Sequence, residues 1–179
     1  MFGVAPSGGS SGCGTLFEIS PARVFSTLHS FNCTSDGAYP DGDVVEFKGK
    51  LYGAAQSYGP SGYGTVWQYN IGSGTFTLLH SFSGADGASP MGGVACQPGK
   101  KAVCAGTFFG TTYGGGASGW GTVWKIDSRG KFRTLHNFAN SDGGYPYACP
   151  FLDSSGAIYG TTYEGGANRY GTIWKITFP

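Results

Sequence analysis

The chain has 179 residues, 40% hydrophobic and 16% aromatic, with a net charge of +1 and a pI near 7.6. That is one domain or part of one, with enough apolar content for a core. With no Lys/Arg run it is a poor partner for nucleic-acid backbones, and no apolar run approaches the ~20 residues of a membrane helix.

Charged residues are only 12% and glycines number 34. Abundant aromatics with few charges describe a turn-dense all-β chain; a disordered one shows the reverse.

Met1–Ile19, MFGVAPSGGSSGCGTLFEI, starts with a short apolar run, passes through a Gly-rich middle and ends in Gly-Thr and a strand-like run. Its first residues have neither a basic region nor an apolar core, so they do not read as a signal peptide. The same design returns in Leu51–Tyr69, Phe108–Ile126 and Ile158–Ile176. In the third copy Thr122, Trp124 and Ile126 alternate with Val123 and Lys125, the period of a strand. Gly114-Gly115-Gly116 reads as a turn. Each copy is a predicted hairpin, and lone hairpins are marginal in water, so the copies are expected to stack.

Three markers recur in fixed order. Gly-Thr begins at Gly14, Gly64, Gly121 and Gly171, spaced by 50, 57 and 50 residues. Leu-His-(Ser/Asn)-Phe begins at Leu28, Leu79 and Leu135, and Asp-Gly at Asp36, Asp86 and Asp142. A period near 50 with four strands per unit marks a β-propeller blade. Strand A follows Asp-Gly (Val44–Phe47, Gly93–Gln97, Ala148–Leu152). B is the Leu-Tyr-Gly-type run and C the Gly-Thr run. D carries Leu-His (Phe25–Phe31, Phe76–Phe82, Phe132–Phe138). The predicted order is BCD, ABCD, ABCD, ABC: an all-β domain over 1–179, with repeats at about 1–35, 36–85, 86–141 and 142–179. The first and last blades are incomplete, so the chain is expected to be either part of a longer repeat array or a unit whose rings or fibres form between chains. The longer third unit places an insertion at Gln97–Val103, between Cys96 and Cys104, which are positioned to form a disulfide across it. The other pairings of the five cysteines stay open. Disulfides and low charge point to an extracellular or surface location. Asn32-Cys33-Thr34 is a formal glycosylation sequon.

The pattern Leu-His-x-Phe, Asp-Gly-x-x-Pro, Leu-Tyr-Gly-Thr-Thr-x-x-Gly-Gly, Gly-Thr-Val-Trp-Lys-Ile resembles the GloVer (Gloeo-Verruco) tandem repeat of bacterial secreted or surface proteins. Ile158–Gly166 and Gly171–Ile176 carry it most closely. The first copy departs, with Pro6 in an aromatic place and Cys13 where later copies have Tyr63, Trp120 or Tyr170. The resemblance implies a propeller, often with a surface anchor, and brings no shared activity with it.

His29, His80 and His136 are all the histidines and share one repeat position. On a ring such positions lie apart, so they read as repeated structural hydrogen bonds, neither metal ligands nor catalytic bases. Asp36, Asp86 and Asp142 read first as turn residues and second as ligand contacts. Asp36, Asp41 and Asp43 form the only local acidic cluster, a weak calcium candidate. No other cofactor is expected. Tyr63, Trp120 and Tyr170 precede Gly-Thr on the B–C loops, the face shared with the Asp-Gly loops. They either shield the Gly-rich backbone or, beside Asp36, Asp86 and Asp142, bind sugar rings. The expected function is non-enzymatic carbohydrate binding on that face. The alternatives are a self-assembling surface or fibre subunit whose open blade edges pair, and a polysaccharide-active enzyme.

Overall fold

The computed structural model describes residues 1–98 and 104–178; most of the predicted insertion, 99–103, lies outside them. Described residues form strands and turns and no helix. Four antiparallel sheets follow one another along the chain. The first contains β1 (Phe2–Ala5), β2 (Thr15–Ile19) and β3 (Phe25–Ser30). The second contains β4 (Ala38–Phe47), β5 (Lys50–Ser57), β6 (Thr65–Asn70) and β7 (Thr75–Ser81). The third contains β8 (Ala95–Pro98), β9 (Cys104–Thr112), β10 (Thr122–Asp127) and β11 (Phe132–Asn137). The fourth contains β12 (Phe151–Leu152), β13 (Ile158–Thr161) and β14 (Ile173–Ile176). These are propeller-type blades in the order BCD, ABCD, ABCD, ABC.

The glycine of each B strand lies directly across from the large aromatic of strand C: Gly3 opposite Phe17, Gly53 opposite Trp67, Gly110 opposite Trp124 and Gly160 opposite Trp174. The ring lies flat over its glycine, and a methyl group at Gly110 would overlap the Trp124 indole. Trp67 and Trp124 are fully buried. Their Nε1 atoms, with that of Trp174, have no hydrogen-bond partner among the described residues. At the three tryptophan crossings, ring burial is set against one unmade indole hydrogen bond.

The core lies between blades. Leu16 and Phe31 of the first blade pack with Leu51 and Trp67 of the second. Tyr52, Val66 and Phe82 of the second pack with Phe108, Trp124 and Ile126 of the third. Phe109 packs with Leu152 and Ile158 of the fourth. Stacking therefore buries the two faces that an isolated sheet would leave wet. At the inner end the backbones nearly touch, and a Cβ on Gly92 would meet the Cys149 backbone. β1 packs on β4, β4 on β8 and β8 on β12; among the described residues the first and fourth sheets show no comparable packing, so the blades form an open arc.

Two disulfides close loops, Cys13–Cys33 and Cys96–Cys104. The second is the one expected from sequence. Cys149 is free and half-buried, and burial, with Asp43 nearby, pushes its thiol up to about 12.

Candidate functional site

The histidines and Asp-Gly turns form one repeated joint. His29, His80 and His136 each donate from Nε2 to the carboxylate of Asp36, Asp86 and Asp142, at 2.9, 2.8 and 2.9 Å. The other carboxylate oxygen closes the turn. Asp86 Oδ1 accepts from the Ser83 N–H and hydroxyl at 2.8 and 2.9 Å, and Asp142 Oδ1 from the Ala139 N–H at 2.8 Å. The main-chain carbonyl of the same Asp accepts from the Gly-Thr hydroxyl of the following blade, Thr65 to Asp36 at 2.7 Å and Thr172 to Asp142 at 2.9 Å. Each Asp thus ties one blade to the next. Burial holds the His80 imidazole below its ordinary value despite the pull of Asp86, so it donates as a neutral ring. Burial pushes the Asp86 carboxyl up, but the Ser83 hydrogen bonds and His80 outweigh it, leaving the group below the usual range.

The aromatics before Gly-Thr have three different settings. Tyr63 lies against Gly84. Trp120 covers Gly144 and leans on Tyr145, with ring centroids 4.9 Å apart. Tyr170 is 91% exposed. None of the three is among the residues lining the cleft that Tyr113 and Tyr163 share. Asp36, Asp41 and Asp43 do not form a metal-binding group, and none of three or more ligands occurs among the described residues. Asp36 is turned to His29, and Asp41 accepts from the Gly42 N–H.

Another set does converge on the same loop face. Residues 56, 113 and 163 are repeat-equivalent, three places after the B-strand glycine, and are Gln56, Tyr113 and Tyr163. They meet Ser89, Met91 and Tyr147 of the D–A loops around an open cleft of about 480 Å³. Tyr147 and Tyr163 are 56% and 68% exposed. Tyr113 stacks on Tyr145 at 4.8 Å and meets Tyr147 edge-on at 6.3 Å. Trp120, behind Tyr145, therefore backs this cluster.

The backbone that places the tyrosines is unusual. Tyr39, Ser89 and Tyr145, equivalent in the three D–A loops, have φ of 56°, 57° and 56°. Side chains rarely adopt this left-handed region, and it persists where surroundings over-determine it. Here each is clamped between B–C loops. The Ser89 N–H donates to the Tyr63 carbonyl at 3.0 Å, and its carbonyl accepts from Tyr113 at 2.9 Å. Tyr145 bonds likewise to Trp120 at 2.8 Å and Tyr163 at 3.2 Å. The cleft presents three phenol rings together with an amide, a hydroxyl and a thioether.

The profile of the Gloeobacter/Verrucomicrobia repeat matches residues 1–103 and again 97–179, which together span the chain. No curated protein sequence matches it. Among solved structures, TolB from Acinetobacter baumannii, a β-propeller, aligns at a TM-score of 0.56 with 12% identity. The alignment covers 90% of this chain and 35% of TolB. At that identity the likeness speaks for fold alone.

Proposed function

This chain belongs to the Gloeobacter/Verrucomicrobia repeat family, and from that premise we propose that it is a non-catalytic, extracellular or surface-exposed propeller module that binds carbohydrate on its B–C/D–A loop face. One observation carries the reading: Tyr113, Tyr147 and Tyr163 line a cleft beside Gln56 and Ser89. Tyrosine faces accept the CH groups of a sugar ring, while phenol, amide and hydroxyl groups bond to its hydroxyls. No carboxylate or imidazole is among these lining residues, which supports binding over cleavage. The disulfides support an oxidising compartment. Trp120 supports the site through Tyr145, on which it leans.

A glycan array with the purified chain tests this, followed by calorimetry on the hits. Selective binding that falls at least about tenfold in Tyr113→Ala and Tyr163→Ala, the loss expected for an anchor residue, is the expected result. A folded wild-type protein that binds no glycan, or binding that both variants leave unchanged, would overturn it.

A further inference from the structure

The second and third blades both have all four strands, and the seam between them carries a cleft at the end of the strands away from the tyrosines. The β4–β5 turn brings Lys48 and Lys50 to it, and the β10–β11 turn of the next blade brings Ser128 and Arg129. Phe47 and Tyr52 complete the lining, around a volume of about 260 Å³. Three cations and no carboxylate line this space. The acids nearest in sequence are engaged elsewhere. Glu46 alternates with Val45 and Phe47, which pack toward the third blade, so it points to the opposite side of β4. Asp127 accepts the Arg129 and Lys131 N–H groups at 2.9 and 3.0 Å and lines a different depression. Among the described residues every ion pair joins a histidine to an aspartate, so Lys48, Lys50 and Arg129 share one cleft without a paired carboxylate.

The repeat folds without these charges. Lys48 and Lys50 correspond to Ala105 and Thr107 in the third unit and to Ser155 and Ala157 in the fourth, and the turn at 71–74 in the second blade has no charge where the third has Arg129. Gathered like charges oppose the compact state, and a bound anion relieves that repulsion. The backbone at Lys48 points the same way. Lys48 and Gly49 have φ of 51° and 70°, a left-handed pair for which Asn-Gly is the usual choice. A lysine held there answers to something other than turn preference, and backbone strain of this kind gathers at ligand clamps. Lys50 is held in place by Gln68, whose Oε1 accepts from its Nζ at 3.3 Å.

We propose that the cleft formed by Lys48, Lys50, Ser128 and Arg129 binds an acidic polysaccharide through its oxyanion groups. The Arg129 guanidinium is a planar fork for two oxygens of one such group. Lys48 and Lys50 supply point charges, and the Ser128 hydroxyl donates to a further oxygen. The rings at the cleft favour a glycan over other polyanions. Tyr52 is 1% exposed, and the Lys48 ammonium lies over the Phe47 ring, 5.2 Å from its centre. Neither ring is free to stack on a nucleic-acid base or to enter a bilayer, which leaves charge and hydroxyl donors as the means of recognition. The proposal is independent of the carbohydrate reading of the tyrosine cleft, since the two sites share no residue and lie at opposite ends of the strands.

The test is calorimetry of the full chain with dextran sulfate, set against uncharged dextran, a single-stranded oligonucleotide, anionic phospholipid vesicles and sodium sulfate. The expected result is saturable binding of dextran sulfate, tighter than that of any comparison ligand. Lys50→Gln combined with Arg129→Gln weakens it at least about tenfold, the loss expected when hydrogen bonds between charged groups are removed. The same double variant makes the binding less dependent on salt and leaves the thermal melt unchanged. Arg169→Gln, which removes an exposed cation at the other end of the strands, leaves the binding as it was. Absence of saturable binding, equal binding by the double variant, or an equal loss in Arg169→Gln overturns the proposal. So does binding of dextran, the oligonucleotide, the vesicles or free sulfate as tight as that of dextran sulfate, because the cleft then does not select an acidic glycan.

Discussion

The imidazole of His80 lies parallel to the Phe132 ring, with centroids 3.7 Å apart and planes 3° from each other, while its Nε2 donates to Asp86. One side chain thereby joins the second blade to the third twice, by ring stacking and through the turn whose Asp86 precedes the third blade. His29 does the same with Phe76 and Asp36.

Acid should loosen this joint in two steps. Because the folded His80 imidazole sits below its ordinary value of 6.5, the unfolded chain takes up the proton first. Its contribution is complete above about pH 6.5 and declines as pH falls below that value. Asp86 is held below 3.8, so a second loss begins only below pH 3.8. Thermal melts at half-unit pH steps should show both limbs. His80→Phe should make the limb between pH 7 and 5 shallower.

Gly110→Ala should destabilise the third blade although the backbone there is ordinary, because the added methyl overlaps the Trp124 indole. Overpacking of this kind costs about 1–3 kcal/mol. Combining it with Trp124→Leu should cost less than the sum of the two single changes, since both act on one contact. Urea melts of the four-member cycle measure this; strict additivity would contradict it.

Removing the Cys13–Cys33 bridge, by changing both residues to Ala, should cost up to about 3 kcal/mol on loop-closure grounds, for a separation of 20 residues. The Cys96–Cys104 bridge, with a separation of 8, should cost less. Denaturant melts of the two double variants give the order.

Cys149 should resist alkylation in the folded protein at neutral pH, because burial pushes its thiol up to about 12 and only thiolate reacts. Mass spectrometry after iodoacetamide should show no adduct in buffer and one in denaturant. Rapid labelling of the native chain would contradict the burial described here.

The blade order was legible in the sequence because three markers moved together through it. The Leu-His and Asp-Gly markers were read separately, yet His29 to Asp36, His80 to Asp86 and His136 to Asp142 are separated by 7, 6 and 6 residues. That near-constant spacing was the available signal for their pairing. The Cys13–Cys33 bridge left a fainter trace, since Cys13 stands where the other copies have an aromatic ring. The Tyr113–Tyr163 cleft was missed for a geometric reason. Equivalent residues on outer strands do lie apart, as His29, His80 and His136 do. Where the B strands end near the centre of the arc, equivalent residues converge, and no one-dimensional spacing records the distance from an axis.

The hydrogen bonds that run from a histidine through Asp to the threonine of the next blade also bear on how such chains change length. The His80 joint is divided between neighbouring units, the second blade supplying His80, the loop after it Asp86, and the third blade supplying Thr122 and the stacking Phe132. A stretch of about 50 residues duplicated or deleted at any equivalent point, the repeat length of a propeller blade, carries matching halves to both of its new borders. Length can therefore drift over generations without a compensating substitution at the seam, and relatives with different blade numbers should share the same His, Asp and Thr.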